Sequence, residues 1–352
     1  MVSRASKSDQ FYSNQAKYED DGNLVKPKVY VTRQFFDEAL DVIRKVAEVE
    51  IFSGENDPIP RDLLLSKVRD ADGLLSMLTD SIDEELFSVA KNLKVVSNYA
   101  VGYNNIDVEA ATIHGVLVTN TPEVLTDTTA DCAFMLLMAV SRRLVEVDNY
   151  VRDGRWIKAW GPKMLLGSDI HGKTLGIVGL GRIGSALVKR AKGFDMKVIY
   201  YDSYPDKSKE KSLGVEYREF ETLLKEADYV SLHVPLLDET KHLIGENELR
   251  LMKPSAFLVN TSRGPVVDEK ALAMALKEGW IKGAALDVFK NEPVEPDNPL
   301  LELKNIIVTP HIGSATDETR LAMAMKAANN MAEALIGKRP TDLVNPDVWR
   351  TN

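Results

Sequence analysis

The chain holds a single cysteine, Cys132, in 352 residues. No intrachain disulfide can form, and a reducing compartment is the expected setting. Cys132 opens an apolar stretch and reads as a buried small hydrophobe, not as a reactive thiol. Positive charge is not in surplus: 44 Lys and Arg stand against 53 Asp and Glu, a formal net charge of −9. That balance argues against a broad nucleic-acid or anionic-membrane surface, so neither partner is expected, while a local basic pocket stays open. Long apolar runs are also missing. The longest, Ala133 to Val140, is too short to cross a bilayer. The opening residues are polar and lack the apolar core of a signal peptide. Residues 1–26 are therefore expected to form a flexible tail, and the protein to be cytoplasmic. Histidines number only 5, and no His/Cys cluster has metal-ligand spacing, so no metal is expected.

What remains is globular in character, with 44% hydrophobic and 28% charged residues and enough length for two domains. Short apolar runs alternate with helical patterns, which predicts α/β architecture with mainly parallel sheets. In the first series, strands read at 28–32, 49–52, 73–77, 94–98 and 116–120, with helices near 36–46, 61–68, 83–90 and 107–113. Thr121-Pro122 breaks the series, and one long apolar helix is predicted over 126–152. Its apolar character suits burial at a domain or subunit interface. In the second series, strands read at 174–178, 197–201, 229–232, 256–260, 281–286 and 306–309, and helices near 182–193, 219–226, 246–252 and 268–278. A last amphipathic helix, about 315–336, ends at Gly337 and is expected to cross back to the first domain.

The sharpest local signal is Gly179-Leu180-Gly181-Arg182-Ile183-Gly184, because it follows a strand and opens a helix. Gly179 allows the tight turn, Gly181 lets backbone approach a pyrophosphate, and Gly184 lets helix and strand pack closely. The diphosphate then meets free N–H groups at a helix N-terminus. The next strand ends at Asp202, where a carboxylate would bind a ribose 2′-hydroxyl and repel a 2′-phosphate. NAD(H) is the expected cofactor. NADP(H) stays admissible because Lys207, Lys209 and Lys211 follow and offset part of that repulsion.

Ligands of open parallel sheets bind beyond the carboxyl ends of the strands. Arg263, Glu292 and His311 each follow a predicted strand end in the second series, as does the glycine loop. Their chemistry suits a 2-keto acid. Arg263 offers a planar charged fork for a carboxylate, His311 can protonate the carbonyl oxygen as hydride reaches the carbon, and Glu292 can hold the imidazole and favour its charged form.

Five blocks, KVVSNYAVGYNNID at Lys94–Asp107, GKTLGIVGLGRIG at Gly172–Gly184, VNTSRGPVVD at Val259–Asp268, ALDVFKNEP at Ala285–Pro293 and TPHIGSAT at Thr309–Thr316, resemble the D-isomer-specific 2-hydroxyacid dehydrogenase family. The resemblance runs from Lys28 to about Asp347. It implies two doubly wound parallel-sheet domains with the active-site cleft between them: a flavodoxin-like substrate domain of 27–122 with 314–352, and a Rossmann cofactor domain of 123–313. The family's catalytic arginine, glutamate and histidine fall on Arg263, Glu292 and His311, and its carboxamide-binding aspartate on Asp287. Backbone N–H groups of Val101-Gly102 are implied for the substrate carboxylate, with Leu78, Arg263 and His311 completing the substrate site. The implied cofactor set is Gly179, Gly181, Arg182, Ile183, Gly184, Asp202, Val234, Pro235, Thr261, Ser262, Arg263, Asp287, His311 and Gly313. Glutamate at 292 argues against the formate dehydrogenases, which carry glutamine there. Segments Leu74–Asp80 and Arg155–Trp160 look most like glyoxylate/hydroxypyruvate reductases, so the expected activity is NAD(P)H-dependent reduction of a small 2-keto acid. A phosphoglycerate or other D-2-hydroxyacid dehydrogenase is the near alternative. An NADH-sensing, corepressor-like binding protein is the alternative of another class. The family also implies a homodimer through the 126–152 region, with Trp156 and Trp160 at the substrate mouth or in the interface.

Overall fold

A computed structural model describes residues 26–54 and 57–349. The expected tail lies outside the described residues except for Lys26. The chain divides into two compact units, one running to Val124 and resuming at Asp317, the other Leu125–Thr316.

The first unit carries strands β1 (Lys28–Val31), β2 (Glu48–Ile51), β3 (Gly73–Ser76), β4 (Val95–Asn98) and β5 (Leu117–Thr119). They form one sheet in the order β2-β1-β3-β4-β5, parallel throughout. This is the flavodoxin-like order. Both faces are buried. Tyr30, Leu74, Val96 and Val118 meet Leu64, Leu86, Phe87 and Ala110 from helices Arg61–Lys67, Glu84–Val89 and Val108–Ile113. Asp83 and Asp107 start two of these helices by accepting the N–H of Leu86 and of Ala110. Helix Asp317–Leu335 covers the other face with Met323, Ala327 and Met331, all buried. It lies so close that a Cβ on Gly73 would stand 2.5 Å from Met331 Sδ. Ser97 Oγ also donates to the Ala327 carbonyl at 2.9 Å.

The second unit carries β6 (Thr174–Val178), β7 (Lys197–Tyr201), β8 (Glu216–Tyr217), β9 (Tyr229–Leu232), β10 (Phe257–Asn260), β11 (Gly283–Leu286) and β12 (Ile306–Val308). Their order is β12-β11-β10-β9-β6-β7-β8, again all parallel. The direction of winding reverses between β6 and β9, which places the ligand crevice at their carboxyl ends. Alternation along β6 sends Leu175 and Ile177 to one face, against Leu136, Leu137, Leu187 and Val188. Val178 goes to the other face, with Leu223, Leu249 and Leu272. The expected doubly wound parallel architecture is thus present in both units.

The predicted helix over 126–152 is broken. Helix Thr126–Ser141 stops, Arg143 takes a left-handed backbone at φ 55, and a second helix runs Leu144–Arg152. The cause is a contact distant in sequence. Ser168 N–H bonds the Ser141 carbonyl at 2.9 Å, and the backbone of Gly167 passes so near that a Cβ there would sit 2.7 Å from that oxygen. Arg143 then grips Glu146 through Nε and Nη2 at 2.7 and 2.6 Å. Among the described residues no helix is long and apolar enough to cross a membrane.

Candidate active site

The glycine loop joins β6 to helix Arg182–Lys192. Gly179 has φ 96, and a Cβ on it would lie 2.8 Å from the His233 carbonyl. A Cβ on Gly184 would lie 2.2 Å from the Gly179 carbonyl, so strand, loop and helix are held at glycine-only distance. Gly181 differs: a Cβ there would meet nothing within 4 Å. That open space lies at the first turn of a helix whose leading N–H groups have no carbonyl behind them, a cradle that fits a dinucleotide diphosphate. Asp202, just past β7, accepts the Leu180 N–H at 2.9 Å and the Tyr204 N–H at 3.1 Å. Its carboxylate therefore braces the loop. His233, past β9, has Nε2 2.9 Å from Ser231 Oγ. Burial pushes it down to about 4, so this ring stays neutral near pH 7.

The carboxyl ends of β10, β11 and β12 bring the other groups to the same edge. His311 Nδ1 lies 2.7 Å from Glu292 Oε2, and Glu292 Oε1 accepts the Phe289 N–H at 3.0 Å. A carboxylate only accepts, so Nδ1 carries the hydrogen and Nε2 is the nitrogen left to exchange a proton. Burial opposes the charge on Glu292. The hydrogen bond and charge of His311, the Phe289 N–H and the Arg263 guanidinium outweigh it, and the carboxyl is held below the usual range. Arg263 is half-buried, and desolvation lowers its pKa against the pull of Glu292. Its Nη1 donates to the Ser262 carbonyl at 2.7 Å.

Two supports shape this edge. His311 itself has a left-handed backbone, φ 55, a conformation uncommon outside glycine. It is held by buried Asp287. Asp287 Oδ1 accepts Thr309 Oγ1 at 2.6 Å and the Ile312 N–H at 2.8 Å, and Oδ2 accepts the Gly313 N–H at 2.8 Å. The carboxylate implied for the cofactor carboxamide is thus engaged with the turn that bears His311. Cys132 is a neighbour of this aspartate. Burial, with the Asp287 charge, pushes its thiol up to about 12, so it is inert as expected. The second support is Asn260. It accepts Ser262 N–H and Oγ at 3.0 and 2.8 Å and donates to the Arg263 carbonyl at 2.9 Å. Within that loop, Thr261 Oγ1 is buried with no hydrogen-bond partner among the described residues, which leaves it free for a cofactor atom. Val234 and Pro235 follow β9 on the same edge.

In the other unit, Leu78 follows β3 and Val101-Gly102 follow β4. Asn120 donates to the Val101 carbonyl at 2.8 Å and Asn98 to the Gly102 carbonyl at 3.0 Å. With both carbonyls occupied, the N–H groups of Val101 and Gly102 bond no acceptor among the described residues. Such paired, unsatisfied N–H groups suit an anion. The turn bearing Leu78 is closed by buried Asp80, whose Oδ2 accepts the Met77 N–H at 2.8 Å. No cluster of His, Cys, Asp or Glu able to hold a metal exists among the described residues.

Comparison with known proteins decides the lineage. Residues 134–313 match the sequence profile of the D-isomer specific 2-hydroxyacid dehydrogenase NAD-binding domain. The chain is 55% identical to the glyoxylate reductase of Korarchaeum cryptofilum over 324 residues, which covers 92% of this chain and 97% of that one. The chain belongs to the D-isomer-specific 2-hydroxyacid dehydrogenase family. As a member it is an NAD(P)-dependent oxidoreductase. Among solved structures, the TT0316 protein of Thermus thermophilus matches with TM-score 0.85 and 46% identity, covering 90% of this chain and 99% of that one. The NADPH-dependent glyoxylate/hydroxypyruvate reductase SmGhrB of Sinorhizobium meliloti, solved with NADP and malonate, matches with TM-score 0.80 and 30% identity, covering 93% and 99%.

For this dehydrogenase, sequence reasoning did not single out Asn260, Asn98, Asn120 or Asp80, which act through local hydrogen bonds inside loops. A further contact sets the approach of the loops that bear Arg263 and Glu292. A Cβ on Gly264 would fall 1.9 Å from the carbonyl of Phe289, so the loop after Arg263 lies directly on the segment leading to Glu292. Gly264→Ala is expected to cost about 2–3 kcal/mol of stability, read as a lowered urea midpoint. An unchanged midpoint would show that the loops separate freely.

Proposed function

We propose that this chain reduces glyoxylate or hydroxypyruvate to the corresponding 2-hydroxy acid with NADH, with Arg263, Glu292 and His311 as its working side chains. The observation that carries the reading is the 2.7 Å His311–Glu292 pair on the same sheet edge as the glycine cradle. The Korarchaeum relative is a glyoxylate reductase, and the matching Sinorhizobium enzyme is a glyoxylate/hydroxypyruvate reductase.

Arg263 binds the substrate carboxylate through its planar fork. A dihydronicotinamide bound at this edge would supply hydride to the carbonyl carbon. His311 Nε2 gives its proton to the carbonyl oxygen, and Glu292 keeps the proton on Nδ1 and opposes rotation of the ring. Gly179, Gly181, Arg182, Ile183 and Gly184 would hold the diphosphate, and Thr261, Ser262 and Gly313 would complete the cofactor wall. The test is to follow loss of reduced-nicotinamide absorbance with a panel of 2-keto acids against NADH and NADPH. Turnover of glyoxylate or hydroxypyruvate is expected. Tight NADH binding without turnover of any keto acid would overturn the reading.

Asp202 at the ribose position supports a preference for NADH. Asp202→Ala is expected to narrow the ratio of kcat/KM for NADH over NADPH about tenfold or more. An unchanged ratio would remove Asp202 from cofactor choice.

We also infer a homodimer. Beyond the break at Arg143, the second unit exposes Trp156, Ile157, Trp160 and Leu166, and Ile157 and Trp160 are more than four-fifths exposed (83% and 82%). Large apolar side chains exposed in one short segment suit an interface. Light scattering after size exclusion is expected to give twice the chain mass, and a Trp160→Glu/Ile157→Asp double variant is expected to shift it toward the monomer. A wild-type monomer would refute the pairing.

A further inference from the structure

From Asp287 to Asn298 the chain has neither helix nor strand, yet this stretch carries Glu292. A loop without regular structure keeps many backbone states open, whereas the 2.7 Å bond from Glu292 to His311 tolerates little displacement. Besides that pair, two hydrogen bonds tie residues 288–298 to another element among the described residues, and Glu269 makes both. Its Oε1 accepts the N–H of Lys290, shortly before Glu292. Its Oε2 accepts Asn298 Nδ2 at 2.8 Å, at the far end of the loop. One carboxylate thus grips the loop on both sides of Glu292.

The support behind that grip is rigid. Glu269 is half-buried and is the first residue of helix Glu269–Glu278. Asp268 caps the helix by accepting the Lys270 and Ala271 N–H groups at 2.9 and 3.2 Å, and Leu272, Ala275 and Leu276 are buried beneath it. The chemistry of the grip also calls for a carboxylate. Asn298 Oδ1 is committed to the Leu300 N–H at 3.0 Å, which fixes the amide with Nδ2 toward Glu269. Both partners of Glu269 are therefore donors, and a carboxylate presents two acceptors and no donor. Glutamine would set its own NH2 group against that of Asn298.

We propose that Glu269 is a positioning residue for the proton-transfer pair. It acts through the backbone on either side of Glu292, holding that carboxylate where it keeps the proton on His311 Nδ1. The proposal rests on the reading of His311 and Glu292 given above.

The test combines spectroscopy and kinetics on the full chain, with the thermal midpoint of each variant as the folding check. Nitrogen-15 spectra of labelled histidine rings report the tautomer, and His311 is assigned by its loss in His311→Ala. Wild type is expected to carry the hydrogen on Nδ1 of His311, and Glu269→Ala to move this ring toward the Nε2–H form. With glyoxylate or hydroxypyruvate, Glu269→Ala is expected to lower kcat about tenfold, while KM for the keto acid and Kd for NADH change less than about twofold. Asn298→Ala and Glu269→Gln, which each keep the Lys290 anchor, should lower kcat by about threefold. In a Glu292→Gln background, Glu269→Ala should cost less than about twofold more, because the group it positions is already gone. Should Glu269→Ala fail to fold, Asn298→Ala and Glu269→Gln carry the same comparisons. An unchanged His311 spectrum and kcat, with or without a lower midpoint, would make Glu269 a brace for stability alone. A full tenfold loss in the Glu292→Gln background would show that it acts elsewhere. Either result overturns the proposal. A wild type that turns over no keto acid overturns the functional reading instead, and the ring spectrum then decides the role of Glu269: a tautomer shift upholds it and an unchanged ring overturns it.

Discussion

His311→Ala should lower turnover of the preferred keto acid roughly a hundredfold or more while leaving NADH binding nearly unchanged. The expectation follows from where the side chain sits. Its Nδ1 is committed to Glu292 at 2.7 Å, and its backbone is fixed in the left-handed region by hydrogen bonds from the 309–313 turn to Asp287. Removing the imidazole deletes the proton donor and leaves the turn tied down, so nucleotide affinity and reaction rate should separate. The proton supply should also depend on Glu292 being an anion. Its carboxyl is held below the usual range in the folded state, chiefly by the His311 bond working against burial. A depressed carboxyl contributes stability that is fully present above its unfolded pKa and is lost as pH falls through the folded value. The pair therefore stays intact across neutral pH and weakens only on acidification. Turnover that survives His311→Ala, measured with saturating NADH, would show that another group supplies the proton.

Arg263→Lys should lower kcat/KM for the keto acid roughly a hundredfold, although charge is conserved. A guanidinium presents parallel N–H groups to both oxygens of a carboxylate, whereas an ammonium is a point charge on a flexible stem. The existing scaffold is built for the fork. Asn260 pins the Arg263 carbonyl at 2.9 Å, and Arg263 Nη1 is anchored on the Ser262 carbonyl at 2.7 Å. Lysine cannot keep that anchor and grip the substrate together. The loss should fall mainly on KM if Arg263 acts before the transition state, and on kcat if it acts only within it. A variant with wild-type kcat/KM would remove Arg263 from substrate recognition.

Much of this architecture was legible in the residues because it follows from periodicity and strand ends. Runs such as Thr174–Val178 and Tyr229–Leu232 are buried on both faces in parallel sheets and read as near-continuous apolar strands. Gly179 and Gly184 are required by steric distances that no other residue meets. Arg263, Glu292 and His311 could be suspected together because parallel topology delivers every strand end to one edge.

What escaped was non-local or too small to leave a period. Between Val140 and Leu144 there is no glycine or proline to mark the end of a helix; the break comes from the Gly167–Ser168 backbone arriving at Ser141. Strand β8 has only two residues, fewer than any alternation can reveal. Asn98, Asn120 and Asn260 turn carbonyls away from a ligand or hold a loop, roles that depend on loop geometry and look in sequence like ordinary polar loop residues.

The most direct test of the central claim is a crystal structure of the protein with oxidised nicotinamide cofactor and oxalate, an unreactive two-carbon dicarboxylate that mimics glyoxylate. The account predicts one carboxylate of oxalate on the Arg263 fork and an oxygen of the other about 3 Å from His311 Nε2, with the nicotinamide ring against it. Oxalate bound away from Arg263, or a His311 ring turned so that Nε2 faces Glu292 and not the ligand, would contradict it.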